Sequence, residues 1–145
     1  TNAALELALS TLAEATAQLQ RRFAPRIAKE AQSLLGRMTD GRYDRLTISQ
    51  DMSLSVATRD ETVLRESQRR SEGTVDQIYL ALRLAVSREL MPHAPFVLDD
   101  ALVRFDDVRH AAAMEILKGE AISRQILLFT CQSREKSTIY KEDIL

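Results

Sequence analysis

Two short apolar runs without alternation, Phe96-Val97-Leu98 and Ile126-Leu127-Leu128-Phe129, stand on either side of a helix-period stretch at residues 107–121. Strands with one wet face alternate apolar and polar side chains, so unalternated runs of this length are expected to be buried parallel strands. A further helix-period stretch at residues 73–90 precedes the first run, with Val75, Ile78, Tyr79, Leu82, Ala85, Val86 and Leu90 expected on one face and Leu80 and Leu84 partly on the other, an apolar surface broad enough for contacts on two sides. Strands that alternate with helices place the last two thirds of the chain in the α/β class. The 145 residues, 45% hydrophobic and 28% charged, suit a folded globular unit and disfavour disorder.

The first third has a different rhythm. Leu5, Leu9, Leu12, Thr16, Leu19 and Phe23 are spaced alternately by four and three residues, which is a heptad seam. After Phe23 the apolar positions continue as Ile27, Ala31, Leu34 and Met38, and the successive four-residue steps mark a stutter. Pro25 lacks an amide donor and crowds the preceding turn, so the helix is expected to kink or restart there. Residues 1–38 are thus expected as a coiled-coil stem followed by a head-packed helix, ended at Thr39-Asp40-Gly41 by a left-handed Gly41. Period-two alternation over residues 43–48 and 52–57 predicts two strands joined as a hairpin at 49–51. Residues 59–72 read as a loop, and the polar tail from 133 to 145 as a terminal helix or loop.

Twenty basic against 21 acidic residues leave a formal charge of −1, with no global footprint for nucleic acid or an anionic membrane. The single cysteine, Cys131, rules out an internal disulfide and an all-cysteine metal site, and suits a reducing compartment. No apolar run approaches the roughly 20 residues that cross a bilayer, and no signal-type core opens the chain, so a cytoplasmic location is expected.

Chemistry concentrates in four pieces. Asp99 and Asp100 end the first apolar run, where adjacent carboxylates point to opposite sides and can serve a hydrated divalent cation and a water. Acidic residues also simply cap strand ends. Ser71-Glu72-Gly73 opens the helix at 73–90 and offers a hydroxyl and bare amides at the positive dipole end; a helix cap is the plainer reading. Asp106 lies six residues past Asp100, and Thr130-Cys131-Gln132 follows the second apolar run.

These pieces, in this order, resemble the carboxyl-terminal lobe of an SMC-like ABC ATPase head, the C-terminal half of a P-loop NTPase domain. Ser71-Glu72-Gly73 is similar to the ABC signature, Val97-Leu98-Asp99-Asp100 to Walker B, Asp106 to the D-loop aspartate and Thr130-Cys131-Gln132 to the switch. The likeness covers about residues 39–135 through SEGTVDQIYLALRLAV, PFVLDDALVRFDD and LLFTCQ, and extends to YhaN-like bacterial ATPases of the AAA family, relatives of a double-strand-break repair ATPase. It implies a stem at 1–38 and an ATPase lobe with a small β-hairpin at 39–145. It implies ATP and Mg2+ as cofactors, with Asp99 positioning Mg2+ through its water shell and Asp100 orienting or deprotonating the attacking water. Ser71 and Gly73 would contact the nucleotide of an opposite head, Asp106 would lie at that dimer seam, and Gln132, whose amide bonds a γ-phosphate better than the Cys131 thiol, would be the switch. A second copy of the head, double-stranded DNA and a nuclease subunit are the implied partners, in DNA repair or chromosome maintenance near the nucleoid.

The chain departs from the family pattern in four places. Arg70 stands where leucine precedes the signature serine, Asp100 where glutamate is usual, and Cys131 or Gln132 where histidine is usual. No G-x-x-x-x-G-K-[ST] loop occurs, so a lobe that carries it is expected to precede the coiled coil, and the isolated chain is expected to be inactive. The competing expectation is a non-catalytic scaffold that keeps the fold and its dimer contacts without turnover. Gly73→Asp is expected to block dimerisation with the fold intact. His93 and His110 lack partners at metal-ligand spacing, Cys131 reads as a small buried thiol, and Arg21-Arg22 and Arg69-Arg70 read as solvated surface.

Overall fold

The computed structural model describes residues 2–49, 53–136 and 139, without the side chain of Leu19. The hairpin link at 50–51, the expected strand start at Met52 and most of the tail beyond 136 lie outside the described residues.

Helix α1, Asn2–Met38, runs unbroken through Pro25. The expected kink or restart is not observed: Pro25 is exposed, where water can take the carbonyl that proline leaves without a donor. Along the outer part of α1 the seam residues Leu5, Leu9 and Leu12 are all more than half exposed. From Phe23 onward the helix enters the core, and Ile27, Ala31, Leu34, Leu35 and Met38 are buried. Asp40 (φ 51°) and Gly41 (φ 71°) end the helix in left-handed conformations, and the Gly41 N–H donates to the Gly36 carbonyl at 2.7 Å.

Strand β1, Tyr43–Ile48, pairs antiparallel with β2, Leu54–Thr58, and Leu46 faces Val56 across the ladder, both buried. A third strand, β3 at Arg65–Glu66, adds to β2 and leads into a 3-10 turn at Ser67–Arg69. It lies within residues expected as loop, because a two-residue strand of exposed arginine and glutamate has no hydrophobic pattern to read.

Helix α2, Glu72–Leu90, packs on α1 through Ile78, Ala81, Leu84 and Ala85. Its buried stripe is rotated from the first expected face toward the second: Leu80 and Leu84 are buried, with Thr74, Gln77 and Ser87, while Tyr79 and Leu90 are about half exposed. Polar residues on the inner stripe partly disguised the apolar face.

Strands β4, Phe96–Asp99, and β5, Ile126–Phe129, pair in parallel with Asp99 opposite Phe129, and α3, Asp107–Ala121, lies between them in sequence. The α/β expectation holds. Full burial of the strands does not: Phe96 and Leu98 are buried, whereas Val97 and Phe129 are exposed, so the described elements cover one face of this sheet. A short helix, α4 at Ser133–Lys136, follows β5. Arg88 of α2 bonds both Glu30 of α1 and Glu120 of α3 (2.7 Å from Nε to Glu120), and Arg124 adds a 2.6 Å bond to Glu120, so one ionic network joins three helices. Burial works against the charge of Glu120, and the hydrogen bonds from Arg88 and Arg124 outweigh it, holding the carboxyl below its ordinary range. No helix among the described residues is long and apolar enough to cross a membrane.

Candidate functional site

Asp99 closes β4, and Asp100 then leaves the strand in a left-handed conformation (φ 46°) that aspartate tolerates better than most residues. The Asp100 N–H still donates to the Phe129 carbonyl at 2.9 Å, and its Oδ1 accepts the N–H of Cys131 at 3.0 Å. Parallel pairing thus brings the acidic pair and the start of the predicted switch together at the carboxyl ends of adjacent strands. Asp99, Asp100 and Cys131 line an open cleft of about 560 Å³ together with Asp76, Arg83 and Arg104. A separate groove of about 370 Å³ between α1 and β1 is lined, among the described residues, by no carboxylate, histidine or cysteine.

Cys131 is exposed, which corrects the expectation of a buried thiol. A hydrogen bond to the Asp100 carboxylate, and its charge, push the thiol above the ordinary cysteine range, so it is a poor nucleophile. Gln132 does not line the cleft, but its Nε2 donates at 3.4 Å to the carbonyl of Val103, which does. Arg134 donates to the Leu102 carbonyl at 2.9 Å, so the loop of residues 101–106 is held on the side of the predicted switch.

The same loop is held from α2. Arg104 forms two 2.5 Å bonds to the Asp76 carboxylate and one of 3.0 Å to Glu72, and these hydrogen bonds strengthen its hold on its proton. Its carbonyl oxygen lies so near Gly73 that a Cβ there would sit 2.9 Å away. Gly73 is therefore needed for close packing within the chain itself, and the expectation that Gly73→Asp leaves the fold intact is corrected on that ground. Ser71 holds the N-cap position of α2, but its hydroxyl caps no amide and bonds the Thr74 hydroxyl at 2.9 Å. Asp106 does cap: its Oδ1 accepts the Arg109 N–H at 2.9 Å at the start of α3. That structural role accounts for an aspartate at this position.

Two side-chain arrangements were not legible from spacing. Arg70, expected as solvated surface, is mostly buried over the Tyr43 ring and bonds Glu61 at 2.5 and 2.9 Å. The Arg70 hydrogen bond, with that of the Thr58 N–H, lowers the Glu61 pKa to about 2. His110 and Glu135, both buried, approach to 3.3 Å without hydrogen-bond geometry and join α3 to α4. His93 is exposed.

Among the described residues no group of three or more His, Cys, Asp or Glu is placed to hold a metal ion. Asp99 and Asp100 offer carboxylate oxygens at an open cleft, a donor set that suits Mg2+, which keeps most of its waters and takes its other ligands from phosphate.

No family model matches the chain. It is 36% identical over 125 residues to the uncharacterized protein YhaN of Bacillus subtilis (strain 168), a match that covers 83% of this chain and 13% of that protein. The chain therefore spans a small part of the curated relative it matches. Among solved structures it is similar to one from work on ATP-driven dimerization and DNA-stimulated activation of SMC ATPases, with TM-score 0.71, 14% identity, and coverage of 86% of this chain and 78% of that one. The Pyrococcus furiosus Smc head domain with an extended coiled coil, bound to the C-terminal domain of ScpA, superposes with TM-score 0.68 at 14% identity over 94% of this chain and 35% of that one. The SMC head domain from Thermotoga maritima gives 0.62 at 18% identity over 85% of this chain and 44% of that one.

Proposed function

We propose that the chain, which has the fold of the C-terminal lobe of an SMC-like ATPase head, supplies half of an ATP-hydrolysing site at a head-to-head interface. The observation that carries this reading is the meeting of Asp99, Asp100 and Cys131 in one cleft against Asp76, Tyr79 and Arg83 of α2; Ser71 and Gly73 do not line it. Mg2+, when bound, offsets charge on the phosphates of ATP. Asp99 would hold that ion. Asp100 orients the water that attacks the terminal phosphate, whose bond to the departing ADP breaks, and takes the water's proton, exchanging its bond to the Cys131 N–H for one to that water. Ser71, whose hydroxyl is not committed to capping, and the first amides of α2 receive phosphate from the nucleotide of a second head. Gly73 permits close approach of the backbone, Asp106 lies at the seam, and Gln132 senses the terminal phosphate through the loop it contacts.

A lobe with the glycine-rich phosphate loop completes the site, and the chain alone does not turn over ATP. The conformational change passes into α1. DNA repair or chromosome maintenance is the process served, with double-stranded DNA and a nuclease subunit as partners. The test is ATP turnover by the full-length protein with and without DNA. Asp100→Asn is expected to lower turnover by about a hundredfold or more while ATP binding persists. An intact protein without turnover but with nucleotide-dependent dimerisation would replace this reading with the non-catalytic scaffold.

A further inference from the structure

Helix α4 has four residues, too few to persist as an isolated helix, so its place against α3 depends on what its side chains meet. Arg134 donates to the Leu102 carbonyl at 2.9 Å and to Asp107 at 3.3 Å, but the Asp107 side chain is almost fully exposed, and an ion pair in water contributes little. Glu135 is the residue of α4 that enters the interior. It is 1% exposed, and its Oε1 lies 3.3 Å from Nε2 of His110 on α3, itself 5% exposed. Among the described residues neither Glu135 Oε2 nor His110 Nε2 has a hydrogen-bond partner, so each group depends on the charge of the other.

A buried pair of this kind is stable with one proton between its two groups. Without that proton a carboxylate stays buried beside a neutral ring, and with a second one a buried imidazolium faces a neutral acid. The surrounding charges do not replace the proton. Arg134 reaches Glu135 Oε1 only at 3.9 Å and is shared with Asp107. On α3, Asp106 and Arg109 pair with each other at 3.2 Å, and β5 has no charged side chain. The network of Glu30, Arg88 and Glu120 meets α3 ten residues further on, about 15 Å along the helix. The Cys131 thiol, raised chiefly by Asp100, also feels the charge of Glu135.

We propose that His110 and Glu135 form a one-proton latch that docks α4 against α3, and that loss of the proton releases α4 together with residues 130–132, which lead into it from the cleft. Arg134 then leaves the Leu102 carbonyl and frees the loop of residues 101–106 on that side. Histidine exchanges its proton across neutral pH, and the docked state holds one proton more than the released one, so release is expected as pH rises. The latch and the ATPase reading do not depend on each other.

The experiment is limited trypsin digestion of the full-length protein between pH 6 and pH 9, with cleavage after Arg134 quantified by mass spectrometry. Each rate is divided by that of a synthetic peptide of residues 130–141 at the same pH, which cancels the protease's own pH dependence. Wild-type protection is expected to fall at least about threefold from pH 6 to pH 9. H110Q, which leaves Glu135 buried without its partner, is expected at pH 6 to match the wild type at pH 9. H110F/E135L, which has apolar side chains at both positions and no proton to lose, is expected to stay protected throughout. A wild-type fall of less than about threefold overturns the proposal, as does H110Q protection equal to wild type at pH 6 or an H110F/E135L protein that keeps the wild-type fall. Should a thermal melt show H110Q globally unfolded, the wild type and H110F/E135L decide by the same criteria.

Discussion

At Gly73 a methyl group would lie 2.9 Å from the backbone oxygen of Arg104, and neither the helix start nor the tethered loop can yield cheaply. Gly73→Ala is therefore expected to destabilise this chain by about 1–3 kcal/mol, read from urea denaturation. The need for glycine was legible as a motif, but its cause inside the chain was not, because Arg104 comes from 31 residues downstream. Glu61 and Arg70 make the same point with charge. Arg69 and Arg70 are indistinguishable as sequence, yet Arg69 is exposed and Arg70 sits over Tyr43 bound to a glutamate nine residues earlier. Since the Glu61 pKa falls from 4.5 to about 2 on folding, its contribution to stability is complete above pH 4.5 and is lost as pH falls toward 2. The stability difference between wild type and Glu61→Gln, measured by denaturation at pH 6 and again near pH 3, is expected to shrink at the lower pH.

Among the elements, α1 divides into two energetic regimes along one uninterrupted helix. Leu34 is 1% exposed, so Leu34→Ala is expected to cost about 2–5 kcal/mol in chemical denaturation. Leu9, 59% exposed, is expected to cost no more than about 0.5 kcal/mol by the same measurement on this chain. Both leucines fit the helical period, and period alone cannot say which one meets a neighbour. The long periodic helices and the two apolar strands were readable because repetition reinforces each signal. Strand β3, held by backbone pairing to β2, carries no such repetition. The inner face of α2 was only partly legible: Ile78, Leu80, Leu84 and Ala85 were readable as apolar, whereas Thr74, Gln77 and Ser87 interrupt that face with polar groups that only the packed structure accounts for as interior.

Over the whole molecule, the formal charge of −1 conceals a strongly organised distribution. Glu30, Arg88, Glu120 and Arg124 come from distant parts of the chain and meet where α1, α2 and α3 converge. No local window of sequence contains that meeting, whereas the order of residues from Ser71 to Gln132 is a property of the chain as a string, and the resemblance was legible from it. The two-stranded parallel sheet has a consequence for handling the protein. Its Val97 and Phe129 side chains are exposed, and apolar side chains left open on a sheet invite contact with other copies. Asp99 and Asp100, placed where that apolar run ends, are expected to act as gatekeepers against such contact. Asp99→Asn combined with Asp100→Asn is expected to lower the concentration at which this chain begins to scatter light. On that expectation the carboxylates proposed for chemistry also help keep the lobe dispersed, and a loss of activity on neutralising them should be measured on freshly monodisperse protein.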